Sequence, residues 1–246
     1  MPKYSAGLVV EPSRLVFDLE TLLIDTVAGV QHALDAVARK QRANWRRLLN
    51  LEDLRSTRLE TLLADIAGSA DPKLIEKLSQ DYWKLYEQES RYQAPLREGA
   101  MELVEALREQ GSELHYITTL GPEAATRLTR HHALNRMITS IYTSPAPICA
   151  YARAGVFGHF ISESGHAPES FLLLSDHLPE LMTAQRLGVP ALGLAYGHAP
   201  QLVLETLPGV LGVASSPADV IDWLNARNLA NQHVQAAATR YAARLH

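Results

Sequence analysis

The chain has a single cysteine, Cys149, among 246 residues. One thiol excludes an intramolecular disulfide and cannot by itself supply a cysteine-based zinc site. No apolar run approaches the roughly 18 residues that a bilayer-spanning helix needs, and the N-terminus lacks the charged-then-apolar order of a signal peptide. The expectations are a reduced, cytoplasmic setting and no membrane partner. Positive charge is in slight deficit, with 23 Lys and Arg against 27 Asp and Glu. A formal net charge of -4 gives no general pull towards nucleic acid or an anionic lipid surface, and the basic run Arg42, Arg46, Arg47 reads as a solvated helix face. Histidines are present, but none forms a pair at i and i+4 with a third partner. His177 is set apart only because it borders Asp176. There is no internal repeat and no low-complexity tract, although the tail from Asn228 to His246 is rich in alanine and arginine and reads as helical.

Hydrophobic residues make up 47% and charged residues 20%, the composition of an ordinary folded globular chain. The first strand signal is Arg14-Leu15-Val16-Phe17, ending abruptly in Asp18. After it come helical patterns without a strand until about Pro95. In that block Val30, Leu34 and Val37 recur at helical spacing, as do Ile75, Leu78, Tyr82 and Leu85 behind the opening Asp71-Pro72. Trp45, Trp83 and Tyr86 lie on the same amphipathic segments and read as packing residues. From Gly99 onward helix and strand alternate, the signature of a parallel sheet with crossover helices. Leu103, Val104 and Leu107 belong to a helix stopped by Gly111, and Leu114–Ile117 is a strand. Phe171–Leu174 is a continuous apolar run, as in strands covered on both faces. Ala191–Ala195 and Val210–Ala214 are further strands, and Ser216, Pro217 and Asp219 open a last helix.

In open parallel sheets ligands bind beyond the carboxyl ends of the strands. Three of these strands end in groups suited to phosphate and a metal: Asp18 with Glu20, Thr118 with Thr119, and Asp176 with Glu180. Any one of them could be a turn or a cap, and it is their convergence that points to chemistry.

The run Val16-Phe17-Asp18-Leu19-Glu20-Thr21-Leu22-Leu23-Ile24-Asp25-Thr26 resembles the first motif of the haloacid dehalogenase superfamily, a hydrophobic strand followed by D-x-D-G-T-L-x-D-T/S. Tyr116-Ile117-Thr118 resembles the second motif, and Ser175-Asp176-His177-Leu178-Pro179-Glu180 the fourth, G-D-x-x-x-D. For the lysine of the third motif the alignment gives Arg153, in Arg153-Ala154-Gly155-Val156-Phe157. Ser144-Pro145-Ala146-Pro147 is nearer to the motif in letters but lies too far upstream of Asp176. The helical block sits where phosphoglycolate-phosphatase-like and phosphoglucomutase-like members insert a cap. The resemblance thus implies an α/β fold, a Rossmann-like parallel sheet core over residues 1–26 and 96–246, with an inserted α-helical cap over 27–95.

The same resemblance implies a Mg²⁺-dependent phosphatase acting on a small phosphorylated metabolite, as a monomer or homodimer. Asp18 would be the nucleophile and form an aspartyl-phosphate. Glu20 would be the general acid and base, and Thr118 and Arg153 would hold the phosphoryl oxygens. Asp18, the carbonyl of Glu20, Asp176 and Glu180 would serve the metal. Thr119 is an expected substrate-binding residue, and so are Arg55 and Arg58, because a guanidinium can grip an anionic group through two hydrogen bonds; an ion pair with Glu52 or Glu60 is the equal alternative for the arginines. The sequence departs from the pattern at Glu20, Thr21, Leu22, Arg153, Ser175 and Glu180. Every acidic position stays acidic while the small residues around it have changed. A protein that binds ligand without turnover is therefore the alternative, whereas dehalogenation, which needs no metal, is disfavoured by the retained carboxylates.

Overall fold

The computed structural model describes residues 13–43, 57–143, 152–197 and 199–228. Trp45, Arg46, Arg47, Arg55, Cys149 and nearly all of the C-terminal tail lie outside the described residues. Strand β1 (Arg14–Phe17) is followed by a single helical turn, α1 (Leu19–Leu22). The chain divides into two compact units, one of residues 1–22 with 98–246 and one of residues 23–97.

The first unit is an α/β layer built on six parallel strands: β1, β2 (Glu113–Thr118), β3 (Ser140–Thr143), β4 (Phe171–Ser175), β5 (Ala191–Leu194) and β6 (Val210–Ala214). Their order across the sheet is β3-β2-β1-β4-β5-β6. The element order supplies the reason. Helix α5 (Ala100–Glu109) precedes β2, α6 (Pro122–His131) follows it, and α7 (Ala152–Glu163), α8 (Leu178–Leu187) and α9 (Gln201–Thr206) carry the later crossovers. Parallel neighbours require such crossovers, and helices on the faces leave the central strands dry. All five residues of β4 are buried, as are Leu15, Val16 and Phe17 of β1. Each buried Leu, Val or Phe side chain there contributes about 1.5–3 kcal/mol. Against one face pack Val156, Phe157, Phe160 and Ile161 of α7 and Leu181 and Ala184 of α8, closing a core with Val16, Ile117, Phe171 and Leu173.

Several helix boundaries follow from local chemistry. Gly111 adopts φ 77° just beyond α5, a left-handed turn that glycine takes at low cost. A final helix runs through residues 217–228. At its start the Ser216 hydroxyl accepts from Asp219 N at 3.1 Å, an N-cap bond, and the Asp219 carboxylate accepts from Ser215 N at 2.8 Å, one residue before the cap. Strand β3, by contrast, is not announced by the sequence. Its four residues are only half-buried, as befits an edge strand that needs neither a continuous apolar run nor strict alternation.

The second unit is helical: α2 (Val27–Gln41), α3 (Leu59–Ala67), α4 (Pro72–Gln88) and a 3-10 turn, Ser90–Gln93. The carboxylate of Asp71 accepts from Lys73 N at 3.1 Å and starts α4 ahead of Pro72. A separate core joins Leu34 and Val37 of α2, Leu62, Leu63 and Ile66 of α3, and Leu78, Tyr82 and Tyr86 of α4. Tyr82 and Tyr86 stack with centroids 5.9 Å apart, and Trp83 remains about half exposed. Close approach of α2 to the 3-10 turn depends on Gly29, where a Cβ would stand 2.7 Å from the carbonyl oxygen of Ser90. The two strands of chain at the base of this unit are tied to each other: Ile24 and Leu96 form an antiparallel bridge, Asp25 N donates to Pro95 O at 2.9 Å and Arg97 N to Leu23 O at 2.8 Å. The unit consequently runs wider than the helical block 27–95, taking in both flanking segments. Among the described residues no helix is long and apolar enough to cross a membrane.

Candidate active site

Parallel strands put all their carboxyl ends on one edge, and register decides which residues meet there. Phe17 pairs with Tyr116 of β2 and with Leu174 of β4. Asp18 therefore lies level with Ile117 and Ser175, with Thr118 and Asp176 one residue further out. Since the order reverses at β1, with β2 on one side and β4 on the other, Asp18 and Asp176 flank the switch point where such sheets bind ligands.

Asp18, Thr118, Asp176 and Glu180 are all buried. Helix α1 begins directly after Asp18, so the amides of its first turn face back onto that carboxylate. Asp18 Oδ1 accepts from Glu20 N at 2.8 Å and from Thr21 N at 3.3 Å. These bonds orient the carboxylate through Oδ1 and satisfy two amides of the helix start. The Thr118 hydroxyl accepts from Leu120 N at 3.1 Å; α6 starts instead at Gly121 without a side-chain cap. Thr118 thus shapes the turn after β2 and keeps its hydroxyl hydrogen to donate. Thr119 is exposed on the same turn.

Arg153 enters from the first turn of α7 and meets Glu180 in the first turn of α8. Its Nε donates to Glu180 Oε1 at 2.9 Å, and its Nη2 to Glu180 Oε2 at 3.2 Å and to Thr21 Oγ1 at 3.1 Å. Ser175 Oγ donates to Glu180 Oε2 at 2.5 Å. Burial alone would lower the Arg153 pKa, but Asp18, then Glu180 and Asp176, drive it upward, so the guanidinium is permanently charged. Burial pushes the Glu180 carboxyl up, against the pull of Arg153 and the Ser175 hydroxyl.

The profile of haloacid dehalogenase-like hydrolases matches residues 15–194. The chain belongs to that family. It is 25% identical over 188 residues to a 5'-nucleotidase of Pseudomonas aeruginosa, covering 76% of this chain and 85% of the relative. Its fold is similar to that of a haloacid dehalogenase-like hydrolase of Streptococcus pneumoniae, with a TM-score of 0.68 and 21% identity over 85% of this chain and 97% of the other. It is similar as well to a protein assigned as a phosphatase from Clostridium difficile, with a TM-score of 0.71 and 16% identity over 86% and 98% of the two chains.

For this haloacid dehalogenase-like protein the expected residues divide into two sets. The structure brings Asp18, Thr118, Arg153, Asp176 and Glu180 to one sheet edge. Of the residues expected to serve a metal, Asp18, Asp176 and Glu180 have their side chains buried at this edge. Glu180 turns both oxygens to Arg153 and Ser175, and among the described residues no three His, Cys, Asp or Glu side chains converge as a metal shell. Glu20 sits half-buried on α1, where its amide serves Asp18. Asp18 and Asp176 nonetheless suit Mg²⁺, a hard cation that takes one or two carboxylates and completes its octahedron with water and substrate phosphate. Arg58 is exposed at the start of α3 in the helical unit, and Arg55 lies outside the described residues.

Two residues escaped sequence reasoning. Thr21 holds Arg153, a role that could be suspected from the exchange of a small residue for a hydroxyl beside a longer cation. Gly197 packs so closely on Asp176 that a Cβ there would fall 2.1 Å from its Oδ2. Nearby the Tyr196 hydroxyl donates to Leu22 O at 3.3 Å, fastening this loop to the end of α1. No local pattern marks Gly197, because the constraint comes from a strand end distant in sequence.

Proposed function

We propose that the protein is a phosphomonoesterase that cleaves a small phosphorylated metabolite through an aspartyl-phosphate on Asp18, with Mg²⁺ as cofactor. The observation that carries this reading is the buried Asp18 carboxylate, held by two backbone amides at the sheet's switch point with a fixed guanidinium nearby. Asp18 Oδ2 attacks phosphorus in line as the bond from phosphorus to the ester oxygen breaks. Glu20 gives that oxygen a proton, then takes one from the water that hydrolyses the acyl phosphate. Thr118 and Arg153 bind the equatorial oxygens, a positioning and charge-stabilising task that dominates phosphoryl transfer. Asp18 and Asp176 would hold Mg²⁺, which when bound offsets the charge gathered between carboxylate and phosphate.

Support comes from the family membership and from the named activity of the Pseudomonas relative, which directs a substrate panel towards 5'-nucleotides alongside sugar phosphates and phosphoglycolate. The test is hydrolysis of that panel with Mg²⁺ by wild type and Asp18→Asn. Wild type should turn over at least one ester, Asp18→Asn should lose more than about a thousandfold in kcat, and EDTA should abolish activity that Mg²⁺ restores. Leu22, fully buried and without the hydroxyl usual at its position, favours a second reading in which the site binds phosphate without turnover. Equal inertness of wild type and Asp18→Asn, with inorganic phosphate binding intact in both, would establish that reading instead.

A further inference from the structure

Arg153 is a long side chain with many rotamers, and a cation that must grip phosphate gains from being held in place beforehand. Three elements hold this one. Glu180 on α8 takes Nε and Nη2, Thr21 on α1 takes Nη2 again, and Ser175 at the end of β4 fixes Glu180. Thr21, Ser175 and Glu180 are all buried while Arg153 keeps 26% of its side chain exposed. The clamp is dry and the open edge is on the arginine. With Nε and Nη2 committed, the two hydrogens of Nη1 are the donors left for a ligand. An ammonium, a single nitrogen without this planar fork, could not take up the same contacts.

We propose that Thr21 and Ser175 are positioning residues for phosphate binding: with Glu180 they lock the Arg153 guanidinium so that only its Nη1 edge meets the phosphoryl group. This rests on the phosphomonoesterase reading. Because the locked edge touches phosphate and not the alcohol, loss of the lock weakens every phosphate ligand alike.

The variants are Thr21→Val, which keeps the shape and removes the acceptor, Thr21→Ser, which restores it, and Ser175→Ala. With Mg²⁺ present, Thr21→Val should raise KM for every cleaved ester, and the inhibition constant of inorganic phosphate, by one common factor of roughly tenfold, the size expected for a hydrogen bond to a charged group. Thr21→Ser should return both towards wild type, and Ser175→Ala should act in the same direction but less. Independently of turnover, the Arg153 Nη resonances of ¹⁵N-labelled protein should be separate in wild type, from hindered rotation, and averaged in Thr21→Val. Unchanged resonances in folded Thr21→Val, a KM rise confined to some esters, or no recovery in Thr21→Ser overturns the proposal. If wild type neither cleaves an ester nor binds inorganic phosphate, the phosphomonoesterase reading fails by itself, and the guanidinium spectrum still decides whether Thr21 and Ser175 hold Arg153.

Discussion

At the scale of single residues, what matters at this site is which oxygen is already spent. Asp18 has one oxygen on amides, and Glu180 has both on Arg153 and Ser175. The family resemblance suggested metal ligation for Glu180, and the geometry shows it paired with Arg153 and Ser175. The sequence could show that a carboxylate stood there and not where it turned, because one extra methylene in Glu180 and the wider fork of Arg153 decide the partner together. Gly197 gives a sharp residue-level prediction. In Gly197→Ala the new methyl would overlap the Asp176 carboxylate, and either the loop or Asp176 has to move. Hydrolysis should fall more than tenfold, since misplacement of about an ångström costs about a hundredfold in rate. Thermal unfolding should shift far less. Full activity in a folded Gly197→Ala protein would show that Asp176 is dispensable in its present position.

At the scale of elements, β2 carries a pH dependence. His115 is buried on it, with Nδ1 against Ser140 Oγ at 2.8 Å and its ring beside Phe160 and Phe171. Burial lowers its pKa below the ordinary 6.5, with Glu113 pulling up and Arg14 and His166 pushing down. His132, just beyond α6, is lowered by burial and then by His131. A lowered histidine is neutral in the fold and takes a proton more readily when unfolded, so its stabilising contribution is whole above pH 6.5 and is lost as pH falls through the folded value. The urea midpoint should hold steady near neutrality and decline from about pH 6.5 towards pH 5, with a shallower decline in His115→Gln. An identical slope in that variant would remove His115 as a cause. Elements also differ in legibility. Strands β1 and β4 were plain because both faces are covered and the apolar run is unbroken. Strand β3 was not, and neither was the helical turn α1, whose four residues, Leu19–Leu22, are too few to show a helical period.

At the scale of the whole molecule, each unit has its own apolar centre. Leu63 is completely buried in the helical unit, and Leu63→Ala should destabilise that unit by about 2–5 kcal/mol. Hydrogen exchange should then rise in α2, α3 and α4 while the amides of β1 and β4 keep their protection; uniform loss across both units would mean that they unfold together. The α/β class and the inserted helices were legible because helix-only and alternating stretches differ in period over many residues, whereas the strand order, which sets the switch point, emerges only from pairing.

That order has a consequence in time. Strand β1 is made before both of its partners, β2, about a hundred residues later, and β4, later still. At 5–20 residues per second of synthesis, Leu15, Val16 and Phe17 wait roughly 10–30 s for β4 to emerge. Until β2 is made this apolar tripeptide beside Asp18 has no strand partner, and until β4 is made it has one. The nascent chain is then at its most exposed to misassembly, and a ribosome stalled before residue 171 should present β1 to chaperones, while one stalled well beyond residue 175 should not.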